Sequence, residues 1–192
     1  MDIGKAFTDA WNTYTRNFII IFLATIVSSI LGFLIAPLVG FQMMFVKAKR
    51  ETALTFNDVF APFSHFIALI WVVILMAIIL VAIYLPSVIC FSLNWNFLGT
   101  ILMLAAIFIT IYLGVCWMFA LLFVADKELK GMSALNASRD LVIKNNWWLH
   151  FMLAILAGIV GSLGQFLFGF GVILTIPLGT GAIASAYANE TK

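Results

Sequence analysis

Residues 18–46, FIIIFLATIVSSILGFLIAPLVGFQMMFV, contain no Asp, Glu, Lys or Arg, and the way they meet an apolar slab decides the fold. As one helix these 29 residues would measure about 43 Å, against a hydrocarbon core of about 30 Å. One tilted span is an open alternative. The flanking charges favour a hairpin turning near Gly32 to Pro37. With a single crossing, Arg16 and the cluster Lys47, Lys49 and Arg50 would stand on opposite faces, whereas basic residues normally gather on one. Limbs of about 15 and 10 residues are short of a full crossing, so the pair is expected to be shallow or re-entrant.

The rest of the chain repeats this pattern. Of 192 residues, 65% are hydrophobic and only 9% charged, where a soluble domain carries about 25% charged residues. The Lys and Arg residues fall in the first 16 positions, in Lys47 to Arg50, in Lys127 to Lys144 and at Lys192. Residues 59–125 and 146–189 are, like 18–46, free of charge. The expected fold class is therefore all-α: a polytopic membrane helix bundle of about six membrane segments forming a single domain over 1–192. Its parts are an interfacial amphipathic helix over 2–16, the hairpin over 18–46, an interfacial stretch over 55–63, and spans over 64–93 and 97–124. A second interfacial helix over 133–145 and a hairpin over 147–188 turning at Gly169 to Gly171 complete it. The linkers between paired spans are uncharged and the others basic, which puts both termini on one face, the cytoplasmic one, of a cell (inner) membrane. Asp2 and Asp9 stand where a signal peptide would be positive, so the N-terminus is expected to be retained.

A weak internal repeat joins the two ends. Arg16-Asn17 closes an amphipathic helix, an apolar run follows, and Pro37-Leu38 opens a second limb. Lys144-Asn145, an apolar run and Pro177-Leu178 restate the order, with a different spacing.

Chemistry-bearing residues are few. The net charge of +2 is small and the basic residues are interleaved with acids, which gives nucleic-acid binding no support. Neither His65 nor His150 has the partners that zinc or general-base chemistry needs, and H-E-x-x-H, G-x-S-x-G and P-loop motifs are absent. No catalytic, cofactor or metal site is expected. Cys90 and Cys116 read as apolar packing residues too far apart for a disulfide. Gln42 and Gln165 are the deepest strongly polar side chains, suited to interhelical hydrogen bonds or to a substrate. Arg16, Asn17, Lys144 and Asn145 sit where each amphipathic helix meets lipid, as interface anchors or a headgroup site. Trp11, Trp95, Trp147 and Trp148 mark the membrane boundaries. Small residues recur at four-residue spacing, Ala154/Gly158, Ala157/Gly161 and Gly158/Ser162, then Gly181/Ser185 and Ala182/Ala186, serving packing or self-association.

Ala125-Asp126, Ser133-Ala134-Leu135-Asn136-Ala137-Ser138, Lys144-Asn145-Asn146, and Ile176-Pro177-Leu178 with Tyr187 together carry a resemblance. Over about Trp117 to Tyr187 the chain resembles uncharacterised bacterial six-helix integral membrane proteins, and more distantly the membrane domain of glycerophosphodiester phosphodiesterases. The resemblance implies a six-helix membrane fold without an assigned activity, and no phosphodiesterase domain accompanies it. Two functions follow as expectations. One is a non-enzymatic interaction, scaffold or lipid-associated module, whose partners are the bilayer, a second copy or another membrane protein. The other is a channel or transporter for a lipid or small apolar solute, passing between the two repeats. A polar cavity lined by both Gln42 and Gln165 would favour the second.

Overall fold

The first helix, α1 (Ile3–Arg16), opens on Asp2, whose carboxylate accepts the Lys5 N–H at 3.0 Å and satisfies one of the unpaired donors of a helix start. Ala6, Ala10 and Tyr14, spaced four apart on one face, are its buried side. Small residues there let α1 lie close against the last helix of the chain. Asn17 ends it, with backbone and side-chain N–H groups both donating to the Thr13 carbonyl. The chain then bends by 101° into the next helix. The structure, a computed structural model, describes residues 1–32, 34–50, 53–166 and 171–191.

Residues 18–46 fold as two helices, α2 (Phe18–Ile30) and α3 (Ile35–Arg50). α3 starts at Ile35, so Pro37 lies inside its first turn, where its missing N–H has no intrahelical partner to lose. Its carbonyl accepts the Ser28 hydroxyl at 3.1 Å, tying the limbs together. At about 1.5 Å per residue, the 13 residues of α2 and 16 of α3 reach roughly 20 and 24 Å. Neither is long enough alone to cross a membrane.

The stretch expected to lie at the interface over 55–63 falls within a further helix. It is a 3-10 helix, Phe56–His65, running directly into α4 (Phe66–Ser92), and it packs along α3. Two residues account for this. Pro62 cannot donate to a regular helical ladder, and Gly40 of α3 has no side chain: a Cβ there would stand 1.9 Å from the Val59 carbonyl oxygen.

After α4 the chain turns at Asn94, which takes φ 60°, a left-handed conformation that Asn tolerates better than most residues. It returns as α5 (Asn96–Cys116) and α6 (Ala120–Lys127). The break between them is stitched by Ser138 of α7 (Met132–Lys144). This fully buried hydroxyl donates to the Cys116 carbonyl at 2.7 Å and accepts the Phe119 N–H at 3.2 Å. Ala134, Leu135 and Val142 are buried on the same helix. Cys90 and Cys116 are buried free thiols.

The chain closes with α8 (Trp147–Ser162), a short 3-10 turn Leu163–Phe166, and α9 (Val172–Glu190). Gly169 and Phe170, two residues of the expected turn, lie outside the described residues. α9 is the centre of the bundle, packed by α1, α2, α3 and α8. Its small residues make this feasible. A Cβ on Gly179 would fall 2.3 Å from the Ala157 carbonyl oxygen, and one on Gly181 2.5 Å from the Phe45 ring. Ala157 and the stripe Gly181/Ser185 therefore serve internal packing. Gly158 and Gly161 both face open space.

The described residues are helical throughout, without a strand. Four helical runs are long and apolar enough to cross a membrane: Phe56–Ser92, Asn96–Lys127, Trp147–Phe166 and Val172–Glu190. Counting the bent pair α1 and α2 as one would make five. The order amphipathic helix, apolar helix, proline-bearing helix occurs twice, as α1–α2–α3 and α7–α8–α9, with α3 and α9 packed together at the centre. α4 and α5 pair with each other at the periphery and present Ile67, Phe97 and Phe108 to the surroundings. Large apolar side chains that exposed belong in lipid, not water.

Candidate functional site

The charged residues, scattered along the sequence, converge at one end of the bundle. Asp9 of α1 takes Lys49 Nζ at 2.6 Å and the Asn189 amide at 3.0 Å. Lys47 pairs with Asp58 at 2.9 Å, while the other Asp58 oxygen accepts the Thr55 N–H at 2.8 Å. Arg50 engages Asp126 with both terminal nitrogens, and its Nη2 also donates to Thr191 at 2.9 Å. Tyr187 donates its hydroxyl to the same carboxylate at 2.8 Å. One end of α3 thus holds α1, the 3-10 helix, α6 and α9 through Lys47, Lys49 and Arg50. A cavity of about 200 Å³ lies among Lys47, Arg50, Asp58 and Asp126, with both cations already matched to carboxylates.

Asp9 shows how these pairs work. Burial alone would push its carboxyl upward. The hydrogen bonds from Lys49 and Asn189, with the positive charges of Lys49 and Lys5, outweigh that and hold it below the ordinary carboxylate value.

His150, expected as an ordinary interfacial histidine, is fully buried. Its Nδ1 donates to the Asn146 carbonyl at 3.0 Å and its Nε2 lies 2.9 Å from Glu190. The partner is forty residues away at the other end of a hairpin, so no local spacing could reveal it. His65 stands elsewhere, lining a cavity with Trp71 and Lys130. Among the described residues no three His, Cys, Asp or Glu side chains gather to hold a metal ion.

Against this knit background Arg16 stands out: it forms no hydrogen bond or ion pair among the described residues and is exposed. It lines a polar cavity of about 410 Å³ with Asp9, Asn12, Thr13, Asn17 and Lys49. Across Arg16 and Asn17 a second cavity continues over Phe18, Ile19 and Ile20 at the start of α2. The bend at Asn17 creates both, one polar and one floored by apolar side chains. Lys144 is also exposed, at the matching α7–α8 junction, where Asn145 caps α7 and Asn146 caps α8.

Gln42 and Gln165 do not meet. Gln165 is exposed in the 3-10 turn after α8. Gln42 lines a cavity of about 340 Å³ between α2, α3 and α9, with Thr25, Ser28, Ser29 and Thr180. Neither amide forms a hydrogen bond among the described residues. The hydroxyls of α2 were overlooked by sequence reasoning. Their signal is present, because Thr25, Ser28, Ser29 and Gly32 keep helical spacing within an otherwise apolar run. The chain matches no protein-family profile, no curated protein and no solved structure.

Proposed function

We propose that this chain is a non-enzymatic, lipid-associated module of the cell (inner) membrane, with its charged face and both termini on the cytoplasmic side, and that this face binds the phosphate headgroup of anionic phospholipid. The observation carrying it is the unpaired Arg16 in the polar cavity at the α1–α2 bend. Asp9, Asp58, Asp126 and Glu190 are occupied by partners within the bundle, while Arg16, Lys130, Arg139 and Lys144 make no ion pair among the described residues. Asp2, Glu128 and Asp140 make no ion pair among the described residues either, so the unmatched bases outnumber the unmatched acids and leave a surface that attracts anionic lipid, by about 1 kcal/mol per basic residue near the membrane. The cavity over Phe18 to Ile20 beside the headgroup cavity gives acyl chains an apolar floor. A second copy or another membrane protein would meet the bundle along α8, where Gly158 is open.

The test is thermal unfolding of delipidated protein in mild detergent, with phosphatidylglycerol or phosphatidylcholine added. Phosphatidylglycerol should raise the midpoint more, and Arg16→Gln should lose most of the difference. Equal responses to the two lipids would sink the proposal. Transport is the alternative, and the cleft at Gln42 is the feature that favours it.

A further inference from the structure

We propose that the edge formed by α2 and α3 is a path along which a phospholipid headgroup passes between the two leaflets. It rests on the headgroup site proposed above as its mouth. A headgroup crosses a bilayer slowly because hydrocarbon offers its phosphate and ester oxygens no hydrogen bonds and no water. Two independent features lower that obstacle on this edge.

The first is the cleft. Gln42 lies seven residues before Lys49 on α3, two turns away on the same face and about 10 Å deeper. Around it stand Thr25, Ser28, Ser29 and Thr180. Ser28, Thr25 and Thr180 spend their protons on backbone carbonyls but keep oxygen lone pairs. The Gln42 amide and the Ser29 hydroxyl have no partner among the described residues. An amide at that depth is tolerated where it meets polar groups. Ser29 and Leu38 are exposed at the rim, so the cleft opens sideways, where lipid stands.

The second is length. α2, the limb with Ile19, Leu23 and Ile30 exposed, is 13 residues long, roughly 20 Å, and starts from the charged end where Asn17 and Lys49 share a cavity. A core of about 30 Å has to thin to meet such a limb. α4, at 27 residues, imposes no thinning on the opposite flank. The polar cleft therefore lies along the thinnest part of the surrounding bilayer.

The experiment uses the full chain in vesicles of phosphatidylcholine and phosphatidylglycerol carrying a trace of headgroup-labelled fluorescent phospholipid, bleached from outside with dithionite. Inner-leaflet label should bleach in vesicles with protein and persist in vesicles without it. Gln42→Met and Ser29→Ala, which keep volume and fold, should each slow the bleaching by about fivefold, the fold-change of one hydrogen bond in lipid. Persistence of the inner label overturns the path. So does equal speed in wild type and both variants, or equally fast bleaching of a soluble dye trapped inside, which marks a leak. If crossing is absent while phosphatidylglycerol still stabilises the wild type over Arg16→Gln, the path fails and the headgroup site stands. If both are absent, the headgroup site fails too.

Discussion

Single residues divide by whether their charge is matched inside the bundle. Asp126 is nearly buried and serves Arg50 and Tyr187 at once, so Asp126→Asn leaves the guanidinium facing an amide. Removing one member of a buried pair costs about 3–5 kcal/mol. With Arg50 32% exposed, solvent screening brings the expected loss to about 2 kcal/mol, read from unfolding in detergent. Lys47 is 33% exposed, and Lys47→Met should cost no more than about 1 kcal/mol. A larger loss there would mean that the Asp58 pair is better shielded than its exposure implies. Asp9 carries the pH dependence. Its carboxyl is held below the ordinary value in the fold, so the stability it adds is complete above the unfolded value. That stability drains as pH falls through the lowered folded one. Wild type should exceed Asp9→Asn in midpoint at neutral pH and converge with it in strong acid, and a constant gap would refute the assignment. The exposed positions of Arg16 and Lys144 at the helix junctions were legible from the sequence. The Tyr187–Asp126 and His150–Glu190 contacts were not, because they join residues 61 and 40 apart, a separation no periodicity encodes.

At the scale of elements, two glycines separate close approach from open space. Gly40→Ala should force the 3-10 helix away from α3, because its Cβ would overlap the Val59 carbonyl and backbone cannot swing aside as a side chain can. An expected loss of about 3 kcal/mol, at the top of the usual range for overpacking, is measurable by unfolding in detergent. Gly158→Ala on α8 meets nothing within 4 Å and should be neutral for the isolated chain. A lost oligomer peak for that variant would instead mark α8 as a contact between copies. The helices themselves were readable from charge-free runs and breaks, since apolar length sets what can enter a membrane. For the stretch 55–63, read as interfacial, the sequence shows Pro62 but not what the segment packs against. Its neighbour Gly40, fifteen residues upstream, decides that the segment packs. Nothing within the stretch itself carries that information.

For the whole molecule, the ion pairs argue topology more strongly than charge counting does. Asp9, Lys49 and Asn189 meet at one point, as do Arg50, Asp126, Tyr187 and Thr191. α1, the end of α3, the end of α6 and the end of α9 must therefore share one face, and the α4–α5 turn around Asn94 must lie on the other. A single crossing by residues 18–46 would separate Asp9 from Lys49 by the full hydrocarbon thickness, so the hairpin and the ion pair stand or fall together. In the orientation proposed above, this shared basic face is the cytoplasmic one. With Cys90 and Cys116 replaced by alanine, single cysteines at Thr8, Asn136 and Ser92 can be probed in intact cells with a membrane-impermeant maleimide. Ser92→Cys should label from outside. Thr8→Cys and Asn136→Cys should label only after the membrane is opened. Labelling of Thr8→Cys together with Ser92→Cys would break the hairpin, and the Asp9–Lys49 pair with it. Labelling of Thr8→Cys and Asn136→Cys but not Ser92→Cys would keep the fold and reverse its orientation, moving the mouth of the lipid path to the outer leaflet.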